Sequence, residues 1–209
     1  MSLLRIQVRP KMKAQLLNIV NPDSANQPEV VPWIFYDTQS VATATSGSVQ
    51  FFSQVQSDKT LGNIEQPSTL ADPQFFEITA FGIDYIAAPT VDASGVAGAT
   101  ADLANFLYTS RATFEFSLNS KLYLRVPATF LTNGGAIALS STGTPAATST
   151  LSSASIGTPG LGGFNVNQAI VISPKQNFTA QLTLGAATTF AATRQFRLWM
   201  AGALYRRVL

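Results

Sequence analysis

Two carboxylates occupy mid-strand positions, Asp84 in FFEITAFGIDYIA and Glu115 in TFEFSL. Held about 5–10 Å apart they could act as acid and base in glycoside cleavage. Their neighbours point elsewhere. Glu115 alternates with Phe114 and Phe116, and Asp84 lies in a long apolar run, which predicts both on the polar side of a sheet. The glycines of GTPGLGGFN have no lysine after them and no βαβ unit around them, so neither a phosphate loop nor a dinucleotide fingerprint fits. NFT (Asn177 to Thr179) matches a glycosylation acceptor but falls inside an alternating strand, where chance explains it. The chain has no histidine and no cysteine. That excludes histidine triads, the HExxH zinc motif, thiolate metal sites and disulfides, and leaves an all-oxygen calcium site as the open metal chemistry. No catalytic residue, metal or cofactor is expected.

What remains is contact chemistry. Arg5, Arg9, Lys11 and Lys13 form a basic arm with no acid in residues 1–20 and no interleaved aromatics. Such an arm can face nucleic acid or an anionic bilayer. KTLGNIEQPSTLADPQFF (Lys59 to Phe76) is turn-rich, with Pro67, Pro73, Gly62, Asn63 and Asp72 breaking any regular element before a long apolar strand begins.

The elements that would carry these groups are mostly strands. VVPWIFYD (Val30 to Asp37) is aromatic and β-branched, and SVQFF follows it. FFEITAFGIDYIA (Phe75 to Ala87) predicts a strand long enough to cross a sheet. Its phase slips: Phe76, Ile78 and Ala80 share one face, Phe81, Ile83 and Tyr85 the other, with Gly82 as the expected bulge. Thr113 to Pro127 predicts a hairpin turning at Asn119–Ser120. TADLANFLYTS (Thr100 to Ser110) predicts the one helix, capped by Thr100 with Leu103, Phe106 and Leu107 as its apolar stripe. Residues 132–163 are nearly all Gly, Ala, Ser, Thr and Pro, and predict a long loop, with 138–163 on the surface. In the closing segment, Phe196, Leu198, Met200 and Leu204 face one way and Arg197, Trp199, Tyr205 and Arg207 the other. About eight strands, one helix and long loops indicate an antiparallel sandwich or barrel.

With 209 residues, one domain is the default, and burial of roughly 70% of its unfolded surface needs no staples. Charged residues make up only 11%, so other copies or a partner are expected to cover much of the surface. Six basic residues and eleven acids give residues 1–115 a net −5, and seven basic residues with no acid give 116–209 a net +7. Opposite fields on one small body suit self-association or an anionic layer beneath; two halves neutralising each other within one fold is the plainer reading. No stretch has the ~18 apolar residues of a membrane span, and MSLLRIQVRPKMK has no apolar core of signal-peptide length, so export is not expected.

WIFYDT (Trp33 to Thr38), the segment Lys59 to Tyr85, the segment Leu103 to Pro127 and QNFTAQL (Gln176 to Leu182) carry a resemblance that spans roughly residues 30–209. In these the chain resembles structural proteins of small icosahedral, tailless bacteriophages with a single jelly-roll shell protein. The resemblance implies an all-β fold, an antiparallel eight-stranded jelly-roll sandwich with one short helix at about residues 100–109. It implies residues 1–28 as the basic arm and 29–209 as one domain. It also implies a capsid protein of the virion, assembled in the host cytoplasm, whose partners are further copies of itself and other capsid proteins. The arm would meet the genome or an internal membrane. Loops of such folds contact neighbours, which makes Lys59, Asn63, Glu65, Gln66 and Asp72 candidates for subunit contact. A vertex, decoration or receptor-binding protein of a capsid is the alternative. A non-viral carbohydrate-binding jelly-roll module is another, although Trp33 and Trp199, its only tryptophans, both lie within strands.

Changing Arg5, Arg9, Lys11 and Lys13 together to Gln should leave the fold intact and weaken assembly or genome retention. Each charge contributes on the order of 1 kcal/mol or less, and salt weakens it. Full particles with unchanged salt sensitivity would refute the role given to the arm.

Overall fold

The structure, a computed structural model, describes residues 28–42, 44–86, 111–132, 137–140, 153–156, 163–189 and 193–207. The helix expected at about 100–109 and the arm with Arg5, Arg9, Lys11 and Lys13 lie outside these residues. Alternating and β-branched runs form strands β1 (Pro28–Val41), β2 (Ala44–Thr45), β3 (Ser48–Phe51), β4 (Phe75–Ile86), β5 (Thr113–Leu118) and β6 (Lys121–Pro127). A 3-10 turn at Ala128–Leu131 follows, then β7 (Ile137–Ser140), β8 (Ser153–Ile156), β9 (Phe164–Ile172), β10 (Phe178–Thr183), β11 (Thr188–Thr189) and β12 (Arg194–Arg207).

Eight of these strands form two open antiparallel sheets, in the orders β1-β12-β4-β9 and β3-β10-β5-β6. Every connection between successive strands of the two sheets crosses from one sheet to the other except the β5–β6 hairpin. That hairpin turns where the sequence predicts. Asn119 and Ser120 have φ of 46° and 69°, the two left-handed positions of a type I′ turn, whose twist matches that of paired strands. The segment expected to be an unstructured loop is not wholly one. Ile137–Ser140 and Ser153–Ile156 form an antiparallel ladder in which Ile137 opposes Ile156 and Leu139 opposes Ala154. Its short apolar–small alternation is enough to pair two strands, a signal that composition alone conceals.

The core lies between the two sheets, and phenylalanine is its most frequent residue. Phe35 and Phe76 of the first sheet meet edge to face at 4.8 Å, and Phe81 reaches across to Phe114 and Phe116 at 5.2 and 5.1 Å. Phe116 stacks on Phe178, which Phe52 meets edge-on. Such pairs add about 0.5–1.5 kcal/mol each beyond the area they bury.

The phase slip in β4 is real, but its cause is not Gly82. The register moves between Ile78 and Ala80 on β4 and between Ala201 and Gly202 on β12, so Thr79 is the extra residue. The bulge turns the strand by one position, and Phe76, Ile78, Phe81 and Ile83 therefore all reach the same core instead of opposite faces. Opposite the bulge, a Cβ on Gly202 would lie 1.9 Å from the Glu77 carbonyl oxygen, so no side chain fits there. Gly82 serves the outer face. The Trp199 indole lies over it and over Gly163, where added Cβ atoms would come within 2.0 and 2.5 Å of the ring.

Glu77, nearly fully buried, accepts a 2.8 Å hydrogen bond from the Tyr205 hydroxyl across the same outer face. Burial first, then that bond, holds the Tyr205 phenol well above its ordinary pKa. Gly202→Ala should destabilise the protein by about 3 kcal/mol, since backbone must move to admit the methyl group. Gly47→Ala, at φ +85 with nothing within 4 Å, should cost only about 1 kcal/mol of left-handed strain. Urea unfolding of the two variants checks this; equal losses would contradict the bulge geometry.

Candidate contact surface

The turn-rich segment between β3 and β4 acts as a strap on the free edge of β1. The Asn63 main-chain N–H donates to the Tyr36 carbonyl at 3.2 Å. Its side chain then imitates a paired strand: Oδ1 accepts from the Tyr36 N–H at 2.9 Å, and Nδ2 donates to the Ile34 carbonyl at 2.8 Å. Asn is the residue that can do this, because its amide carries the donor and acceptor of a peptide group. Gly62 forms a bridge with Asp37, and a side chain there would strike Gln56. The Tyr36 hydroxyl donates to the Lys59 carbonyl at 2.6 Å. Arg197 lies over the Tyr36 ring and donates to the Thr60 carbonyl at 2.7 Å. Thr60 donates side-chain and main-chain hydrogens to Asp58, which holds that carboxyl below its ordinary pKa.

Further along, the strap crosses to the second sheet. The Ser68 N–H donates to the Phe52 carbonyl, and the Phe178 N–H donates to the Ser68 carbonyl. Ile64 and Leu70 anchor it in the core. The strap thus closes the side of the sandwich where β1 and β3 are the outermost strands.

A residue the sequence reading passed over holds the start of this strap. Asp37 is fully buried, and its carboxylate accepts from the Phe52 N–H at 2.7 Å and from Gln39 and Gln56 at 2.7 and 3.0 Å. The available signal was parity. In WIFYD, Trp33, Phe35 and Asp37 share a face, so an inward aromatic pair predicts an inward acid.

Of the residues proposed for subunit contact, Asn63 is committed within the chain and Asp72 pairs with Lys175 at 2.8 Å. Both members of that pair are exposed, so it contributes little to stability. Lys59, Glu65 and Gln66 are exposed. Asp84 and Glu115 are not brought together: each lies on the outer face of a different sheet. Asp84 stands opposite Arg197, and Glu115 accepts from Arg125 at 2.7 Å and Gln181 at 2.9 Å.

On the opposite side of the sandwich the edge strand β6 is blunted rather than covered. It carries Lys121, Arg125 and Pro127 and a register shift at Tyr123, all of which discourage a further strand. Leu122, Tyr123 and, beyond its end, Phe130 are exposed. Between the strap and the first sheet lies a cleft of ≈ 90 Å³ with Trp33, Phe35, Leu70 and Leu204 on its apolar floor and Glu65 and Gln66 on its rim. The Trp33 Nε1–H beside it is buried with no hydrogen-bond partner.

No protein-family model matches the chain, and no curated protein or solved structure matches it.

Asn63→Ala should lower stability by about 2 kcal/mol, by removing two side-chain bonds and leaving Tyr36 and Ile34 unpaired. Gln66→Ala, on the exposed rim, should stay within about 0.5 kcal/mol of the parent. Urea denaturation distinguishes them; an Asn63→Ala midpoint equal to the parent would show that the strap is held elsewhere.

Proposed function

We propose that the chain is a structural protein of a bacteriophage virion, a jelly-roll subunit that assembles with copies of itself into an icosahedral shell. The observation that carries this reading is the strand order, β1-β12-β4-β9 against β3-β10-β5-β6. Taking the eight strands in chain order, the first, eighth, third and sixth form one sheet and the second, seventh, fourth and fifth the other. Two interlocked Greek keys of a jelly roll have this order, and that architecture serves shells and lectins alike. A fold says little about function by itself. The sequence resemblance to phage shell proteins supplies the preference, and so does a surface with few charges.

The polar side chains that the structure places in networks, Asp37, Asn63 and Arg197, tie loops to strand edges. That is the chemistry a building block needs, because rigid loops present the same contact in every copy. Other capsid proteins, and a genome or internal membrane met through the basic arm, complete the proposed set of partners.

Light scattering across a concentration series, with electron microscopy of the largest species, tests this. The expected result is cyclic trimers or pentamers that associate further into closed shells. A strict monomer at the highest attainable concentration would overturn the reading.

A further inference from the structure

Phe130 and the Trp33 cleft are at opposite ends of the sandwich. The Leu70 carbonyl of the cleft floor accepts from the Lys175 N–H, and two residues on, Asn177 pairs with Asn119 of the β5–β6 turn. From that turn β6 runs its seven residues, about 20 Å, to the other end, where Phe130 follows on the 3-10 turn. Phe130 is 56% exposed, the highest value among the described large apolar side chains. An aromatic ring at the tip of a short rigid turn is a knob, and the apolar-floored cleft at the far end is a hole.

Charge fits the same pairing. The Ala128 N–H donates to the Ala112 carbonyl, which ties the exposed Arg111, one residue before Ala112, to the start of the turn that carries Phe130. The exposed acid on the rim of the cleft is Glu65, and the cation that also lines it, Arg206, is already paired with Glu29 at 2.7 Å. Size also fits. A closed cavity of about 150 Å³ holds a whole benzene ring, so an open cleft of ≈ 90 Å³ takes the leading edge of one.

We propose that Phe130 of one copy enters the Trp33 cleft of the next, with Arg111 facing Glu65. This rests on the shell-subunit reading and names the contact that reading needs. Knob and hole are different surfaces, so the contact made once per pair is heterologous and leaves one knob and one hole free for further copies. It joins copies head to tail, and it closes into a ring when the rotation per copy divides a full turn.

The test uses the full chain and two variants, Phe130→Ala, which removes the knob, and Ala71→Trp, which fills the cleft. Glu65→Arg serves as a second cleft-side variant at an exposed position. Each alone should raise the concentration for half-assembly at least about tenfold. Mixed one to one, Phe130→Ala and either cleft-side variant retain one intact contact between them and should stop at a 1:1 dimer in analytical ultracentrifugation. Parent assembly that Phe130→Ala leaves unchanged, or a mixture of folded variants that stays monomeric, overturns this contact alone. A parent chain that never assembles overturns the shell reading with it.

Discussion

An open β-sheet ends in a strand whose outward N–H and C=O groups need partners, and at the centre of β1 the Asn63 residue meets that need, its side chain doing so at Tyr36 and Ile34. Asn63 supplies an acceptor to Tyr36 and a donor to Ile34 where a further strand would have supplied both. The rest of the strap follows from that placement. Once Asn63 is on the edge, Gly62 must pass close to Asp37 and Gln56, and Asp37 is turned inward, where it receives the Phe52 N–H. A buried carboxylate without such donors would cost several kcal/mol, so strap and acid stabilise each other. The turn-rich segment ahead of β4 is thus the closure of one side of the sandwich.

The second constraint is that β4 and β12 must both contribute to one continuous core. Two fourteen-residue strands, β1 and β12, twist across the whole first sheet. The bulge at Thr79 lets the shorter β4 follow them without turning its phenylalanines to solvent. Glycine is required opposite the bulge because main chain meets main chain there. Gly82 and Gly163 answer to a different demand, the flat seat of the Trp199 indole.

Strands were legible because alternation is a strong signal over six or more residues, and the Asn119–Ser120 turn was legible because two-residue hairpin loops have few sequence solutions. The slip in β4 was visible as a change of phase, but its position was not. A bulge residue is chosen by the partner strand's backbone, here Gly202, which lies 123 positions after Thr79. Asn63 and Asp72 stand out in the sequence as polar loop residues that could meet a neighbour, and within the fold Asn63 pairs with the β1 edge and Asp72 with Lys175. Sequence shows that an amide can pair; it does not show with what. The knob and hole were invisible for a related reason. Phe130 reads as one more apolar residue after a strand, and the cleft is assembled from three separate stretches of chain.

At Ile34 and Tyr36 the edge of β1 is thus closed by a side chain rather than by a further strand. The measurement that bears most directly on this closure is native-state hydrogen exchange at the Tyr36 amide, which donates to the Asn63 side chain. The account predicts protection comparable to that of the ladder amides in β12, several orders of magnitude above an exposed loop amide. Exchange of Tyr36 at the rate of an unpaired edge amide would contradict it.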